Sequence, residues 1–190
     1  IKSSAASDVY KRQVTYQTAF LKYYYPVEYM AALMTSVIDK PTKVAEYIQV
    51  CRQMNIPILP PDINEGYSGF SVSGNGIRYG LSAIKSVGRA VVDVIIAERE
   101  NGGLFKSLDD FVSRMSNKEV NKRTLESFIK SGALDTLPGT RKQKLIVSGD
   151  LLESKAREKK TVMEGQLSFF DLAPEEEKNF TTLLEMINAS

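Results

Sequence analysis

The 190-residue chain balances 25 Lys and Arg against 23 Asp and Glu, and 43% of its residues are apolar, as in a soluble globular protein with room for one or two cored domains. It has no histidine and a single cysteine, which excludes a disulfide framework, a cysteine-rich zinc site and any histidine-based triad or metal centre. No apolar run approaches membrane-spanning length and no charged-then-apolar leader stands out, so neither a membrane span nor a secretory signal is expected.

Residues 3–13, SSAASDVYKRQ, read as the translation of a common transposase sequencing adapter ending in its mosaic end. Residues 1–13 are therefore expected to be artefactual and without structure of their own. Leaving them out removes Lys2, Lys11 and Arg12 against Asp8 and brings the formal net charge from +2 to zero. Global charge then carries no argument for a nucleic-acid partner, and local distribution must carry it.

Residues 14–25, VTYQTAFLKYYY, predict an aromatic-rich helix. Pro26 ends it and suits the first turn of the next, where an N–H would be orphaned anyway. Val27, Met30, Ala31, Met34 and Val37 then recur at helical spacing as a buried face. A third helix is expected from about Thr42, with Val44, Tyr47, Ile48, Cys51 and Met54 on one side. This makes Cys51 a core thiol rather than a nucleophile. Asn55 is a left-handed stop, and the prolines of 56–61 force an extended path. Phe70-Ser71-Val72 and Ile77-Arg78-Tyr79 flank Gly74-Asn75-Gly76, the signature of a short β-hairpin.

The stretch 77–96, IRYGLSAIKSVGRAVVDVII, predicts two short helices joined by a tight turn. Val87 would plug the joint and Gly88 would permit the turn. The unpaired N–H groups at the start of the second helix, flanked by Lys85 and Arg89, suit a phosphate. Here the pattern resembles the helix-hairpin-helix, a motif that grips DNA backbone. The candidate DNA-binding residues are Lys85, Ser86, Val87, Gly88 and Arg89, with Ser86 where the motif usually has a first glycine. Such contacts go to phosphates and carry no sequence information.

Further along, Ser107 and Asp110 predict a capped helix with Leu108, Phe111, Val112 and Met115 inward. Asn121 can cap another, with Leu125, Phe128 and Ile129 inward and Gly132 as its stop. A last, basic helix is expected from about Thr140 to Lys160, followed by an acidic tail. Between them lies Gln166-Leu167-Ser168-Phe169-Phe170, whose apolar side chains suit a short peptide docking on a partner. It resembles the peptide by which bacterial replication proteins hold the sliding clamp. Pro61-Asp62-Ile63-Asn64 offers too few carboxylates for a two-metal site.

Taken in order, YQTAFLKYYYPVEYMAALMTSV, EYIQVCRQMNIPILPPDIN, IRYGLSAIKSVG, VNKRTLESFIKSGALD and GQLSFFD resemble the alpha subunit of the bacterial C-family replicative DNA polymerase. The resemblance implies a mainly α fold: small helical domains carrying a helix-hairpin-helix unit and one short β-hairpin. It implies the end of the fingers over 14–65, a DNA- and clamp-binding domain over 66–160, a clamp peptide over 161–175 and an acidic linker over 176–190. It also implies duplex DNA, the sliding clamp and other replisome subunits as partners, in a bacterial cytoplasm with no membrane. No catalytic residue and no metal or cofactor site are expected in this stretch. Magnesium and the catalytic aspartates would belong to the full polymerase. The rival readings are a non-enzymatic adaptor that binds DNA and clamp, and a repair protein with the same hairpin. An adaptor has no need of the fingers-like 14–64.

Overall fold

The computed structural model describes residues 2–115 and 120–163, with side chains over 9–115, over 120–155 and at Arg157. Its α1 is Lys2–Tyr24, α2 Pro26–Ser36 and α3 Pro41–Gln53. Short strands follow at Ile58–Leu59 (β1), Ser71–Ser73 (β2) and Gly76–Arg78 (β3). A single 3-10 turn at Leu81–Ala83 leads into α4 (Arg89–Gly102), α5 (Leu108–Met115), α6 (Lys122–Ser131) and α7 (Arg141–Met163). The fold is mainly α with one small sheet, as expected.

The stop signals act where the sequence placed them. Asn55 has φ 57 and Gly132 φ 87, both left-handed. Asn121 accepts a hydrogen bond from the Thr124 N–H at 3.0 Å, and Ser107 from that of Asp110 at 3.0 Å. Two expectations need correction. Residues 1–13 were expected without structure, yet α1 is helical from Lys2. No Gly or Pro interrupts Lys2–Tyr25, so nothing there stops a helix seeded at 14–24. The first hairpin helix is also only one 3-10 turn, and Ile84 beyond it is already extended.

The expected β-hairpin forms and gains a third strand. β3 lies between β2, antiparallel, and β1, parallel, with Ile58 opposite Ile77. The prolines around Ile58 had pointed only to an extended path.

Two apolar cores result. One gathers Met30, Ala31, Met34, Val44, Cys51, Ile56, Phe70 and Ile77. The Cys51 thiol sits 3.9 Å from the Met34 sulfur, and burial pushes its pKa up. The larger core draws on α4–α7, with Phe111, Leu125, Phe128 and Ile129 fully buried. Around the expected boundary at 65/66 the two interleave: Ile63 joins the second core, while Phe70 and Ile77 join the first.

Candidate nucleic-acid interface

The hairpin is held from below by its own apolar residues. Leu81, Ile84, Val87, Val91 and Val92 all enter the larger core. Its incoming leg is tied to the loop before β2. The Leu81 N–H donates to the Tyr67 carbonyl at 2.9 Å, and the Ser82 N–H to that of Ser68 at 3.1 Å. Buried Arg99 of α4 donates to the carbonyls of Ile63 and Gly66 at 3.1 and 2.9 Å, fastening the preceding turn to the same helix. The Asn64 side chain closes a reciprocal pair with the backbone of Phe105, at 2.9 Å in each direction.

What emerges above this base is the tip. Lys85, Ser86, Gly88 and Arg89 are exposed while Val87 between them is buried, so the plug assigned to Val87 is in place. The turn itself is made differently from expectation. Ser86 carries the positive φ, at 67, whereas Gly88 has an ordinary extended backbone, φ −78 and ψ 150. The left-handed position is the one the motif usually gives to its first glycine, and Ser occupies it at a steric cost.

Gly88 instead caps α4, with no side chain to offer the helix. A Cβ placed there would meet no atom within 4 Å. The first-turn N–H groups of α4 therefore lack a side-chain acceptor and face an open approach. The comparable start of α6 is closed by the Asn121 amide, which accepts from both Thr124 N–H and, at 3.2 Å, Thr124 Oγ1.

Beside the tip runs a groove of about 590 Å³. Lys85 and Ser86 form one wall, Ser127, Lys130 and Ser131 of α6 the other, with Pro61, Tyr79, Ala83 and Ile84 between them. The α6 wall went unassigned from sequence. Its signal was available: Ser127, Lys130 and Ser131 stand at i, i+3 and i+4, the polar counterpart of the buried Leu125, Phe128 and Ile129.

Gln166–Phe170 lies outside the described residues. Asp62 spends its Oδ1 on the N–H groups of Asn64 and Glu65, at 2.7 and 3.0 Å, as a turn-former. Among the described residues no three His, Cys, Asp or Glu side chains converge on a metal position. None of the described helices is long and apolar enough to cross a membrane.

Residues 55–144 match the family described as the helix-hairpin-helix motif. The chain is also similar to curated proteins named DNA polymerase III subunit alpha. It is 43% identical to that of Chlamydia muridarum over 84% of this chain and 13% of the relative. Against Thermus aquaticus it is 52% identical over 64% of the chain and 10% of the relative. Against Vibrio cholerae the figures are 41%, 90% and 15%. The chain thus spans about an eighth of the length of these relatives. Identity at this level, reaching across both cores and the hairpin between them, makes the chain a member of the DNA polymerase III alpha-subunit family.

Proposed function

We propose that this chain is the part of a bacterial replicative DNA polymerase that holds duplex DNA and tethers the enzyme to the sliding clamp. The observation that carries the DNA reading is the start of α4. It has no side-chain cap, it is open where Gly88 lacks a side chain, and Lys85 and Arg89 flank it on a tip anchored by Val87. A helix start of this kind concentrates N–H donors and partial positive charge on a phosphate oxygen, and the two cations add Coulomb attraction. The contact is to backbone, so it grips any sequence the polymerase has just made. Since residues 14–190 carry no net charge, this local arrangement supplies the attraction.

Lys85→Ala with Arg89→Ala is expected to weaken duplex binding equally for all sequences. The slope of log affinity against log salt should fall by about two, one for each lost phosphate contact. Sequence-selective loss, or an unchanged slope, overturns the reading.

The clamp tether rests on Gln166–Phe170: an amide for orientation, with Leu167 and the Phe169–Phe170 pair to fill an apolar pocket around Ser168. Even a weak peptide contact keeps a polymerase beside DNA by raising effective concentration. Gln166→Ala with Phe169→Ala and Phe170→Ala should abolish clamp binding in a titration and leave duplex binding intact. Retained clamp affinity would sink the assignment. Nucleotidyl transfer, its magnesium and contacts to other replisome subunits are proposed for the whole cytoplasmic polymerase, with no chemical step assigned to these residues.

A further inference from the structure

The groove beside the hairpin is built from two segments far apart in sequence. One wall is the tip, where the left-handed Ser86 places Lys85 and Ser86 at the rim. The other is the face of α6 that carries Ser127, Lys130 and Ser131. Two lysines and three serines thus line one space, and none of its lining residues is acidic. The Ser127 and Ser131 hydroxyls donate to the carbonyls of Arg123 and Phe128 at 2.9 and 3.0 Å, which leaves the lysines as the donors for an anion. Between the walls lie Pro61, Tyr79, Ala83 and Ile84, an apolar bed with one phenol. An occupant must be anionic at intervals and apolar between. A sugar–phosphate strand has that alternation: phosphates for the lysines, deoxyribose edges for the bed.

We propose that this groove is a second DNA contact, in which Lys130 of α6, with Ser127 and Ser131 lining the wall beside it, holds the strand that continues from the hairpin tip. The inference rests on the hairpin gripping DNA and extends that grip to α6. Lys85 and Ser86 belong to both contacts, so one strand passes from the start of α4 into the groove without leaving the surface.

Lys130 has a partner that it exchanges. Its Nζ donates to Glu126 Oε2 at 2.8 Å, an i, i+4 pair on the outside of α6. That hydrogen bond holds the Glu126 carboxyl below its ordinary pKa. A pair so exposed to solvent is weak enough to give way to a phosphate. Glu126 is then a negative charge beside the path of the strand, which makes it a second handle on the same site.

Three variants of the full chain test this on a mixed-sequence duplex. Lys130→Gln should lower affinity severalfold and reduce the salt slope by about one. Glu126→Gln should tighten binding severalfold, because it frees Lys130 and removes a repulsive charge. Ser127→Cys should cross-link to a duplex carrying a disulfide-activated tether on a phosphate, and buried Cys51 does not compete. All three results together support the groove. Unchanged binding in Lys130→Gln and Glu126→Gln, with Lys85→Ala and Arg89→Ala still weakening it, overturns the groove and leaves the hairpin standing. Charge effects without cross-linking also overturn it, as they reduce Lys130 to long-range attraction. A loss confined to the groove variants, with the hairpin pair silent, overturns the hairpin reading instead.

Discussion

Positions 86 and 88 divide the work that the sequence suggested for Gly88 alone. Ser86 adopts the left-handed backbone at φ 67, which costs a side-chain-bearing residue about 1–2 kcal/mol. Gly88 needs no special backbone and touches nothing that a Cβ would displace. The fold itself therefore makes no steric demand for glycine at 88. Gly88→Ala should leave unfolding free energy within about 0.5 kcal/mol, since a stiffer unfolded chain offsets a poorer N-cap. The same variant should weaken duplex binding, because the methyl group stands where a phosphate must come. Denaturant unfolding and a salt-resolved DNA titration on one preparation check both halves. A large loss of stability would return the turn to Gly88. Glycine favours positive φ and serine does not, so the letters alone point to Gly88, and only the fold shows that Ser86 bends.

At the scale of elements, helices α2 to α6 were legible because each combines an apolar stripe with a stop or start residue of known backbone preference. Asn55, Asn121 and Gly132 did what their chemistry favours. The exception is instructive. Leu81, Ile84 and Val87 recur every three residues, which suits a 3-10 turn as well as one face of an α-helix. Three positions cannot separate a period of 3.0 from 3.6, and the extended Ile84 removes the second turn an α-helix would need. The α6–α7 corner held two further features that patterning missed. Thr140 and Gln143 cap each other: the Thr140 N–H donates to Gln143 Oε1 at 2.7 Å and the Gln143 N–H to Thr140 Oγ1 at 3.3 Å. Lys144, read as part of a basic helix, is almost fully buried and donates to the carbonyls of Leu134 and Leu137 at 2.6 and 2.7 Å. Arg141, Lys142 and Lys144 together look solvated in sequence; only the fold shows which of them turns inward. Lys144→Met should cost about 1–3 kcal/mol by orphaning those carbonyls. Desolvation by burial is the main cause of the lowered Lys144 pKa, with Arg141 adding to it and Asp135 opposing it. The unfolded chain then holds this proton over a window in which the folded one has released it. Between the lowered folded pKa and the unfolded value near 10.5, Lys144 makes wild-type stability rise with pH. Unfolding curves across that window should show the rise in wild type and its absence in Lys144→Met.

On the scale of the whole molecule, Tyr79 is the side chain packed against both cores, and its ring stands edge-on to Phe70 at 5.0 Å. The chain crosses between the cores over Ile56–Leu81, where Ile56, Phe70 and Ile77 enter one and Ile63 and Leu81 the other. This interleaving was not legible, because each short segment carries the apolar residues of one core and the fold decides which. Tyr79→Ala should cost about 2 kcal/mol, below the full value for a buried aromatic because the ring is only partly buried. It should also loosen the coupling of the cores. Hydrogen exchange would then report different opening energies for α2–α3 and for α4–α7, where wild type gives one. Uniform destabilisation would place the coupling elsewhere.

The far end of the molecule has the opposite character. Along α1 the rings of Tyr16, Phe20 and Tyr24 follow one another at 6.4 and 4.6 Å, with Tyr23 against Tyr24 at 4.8 Å, and all four are exposed. A row of aromatic rings in water is adhesive, and a formal charge of only +2 gives little repulsion to keep copies apart. The colloidal behaviour of the purified chain, its tendency to scatter light and to stick to surfaces as it is concentrated, is thus set by α1 rather than by the hairpin.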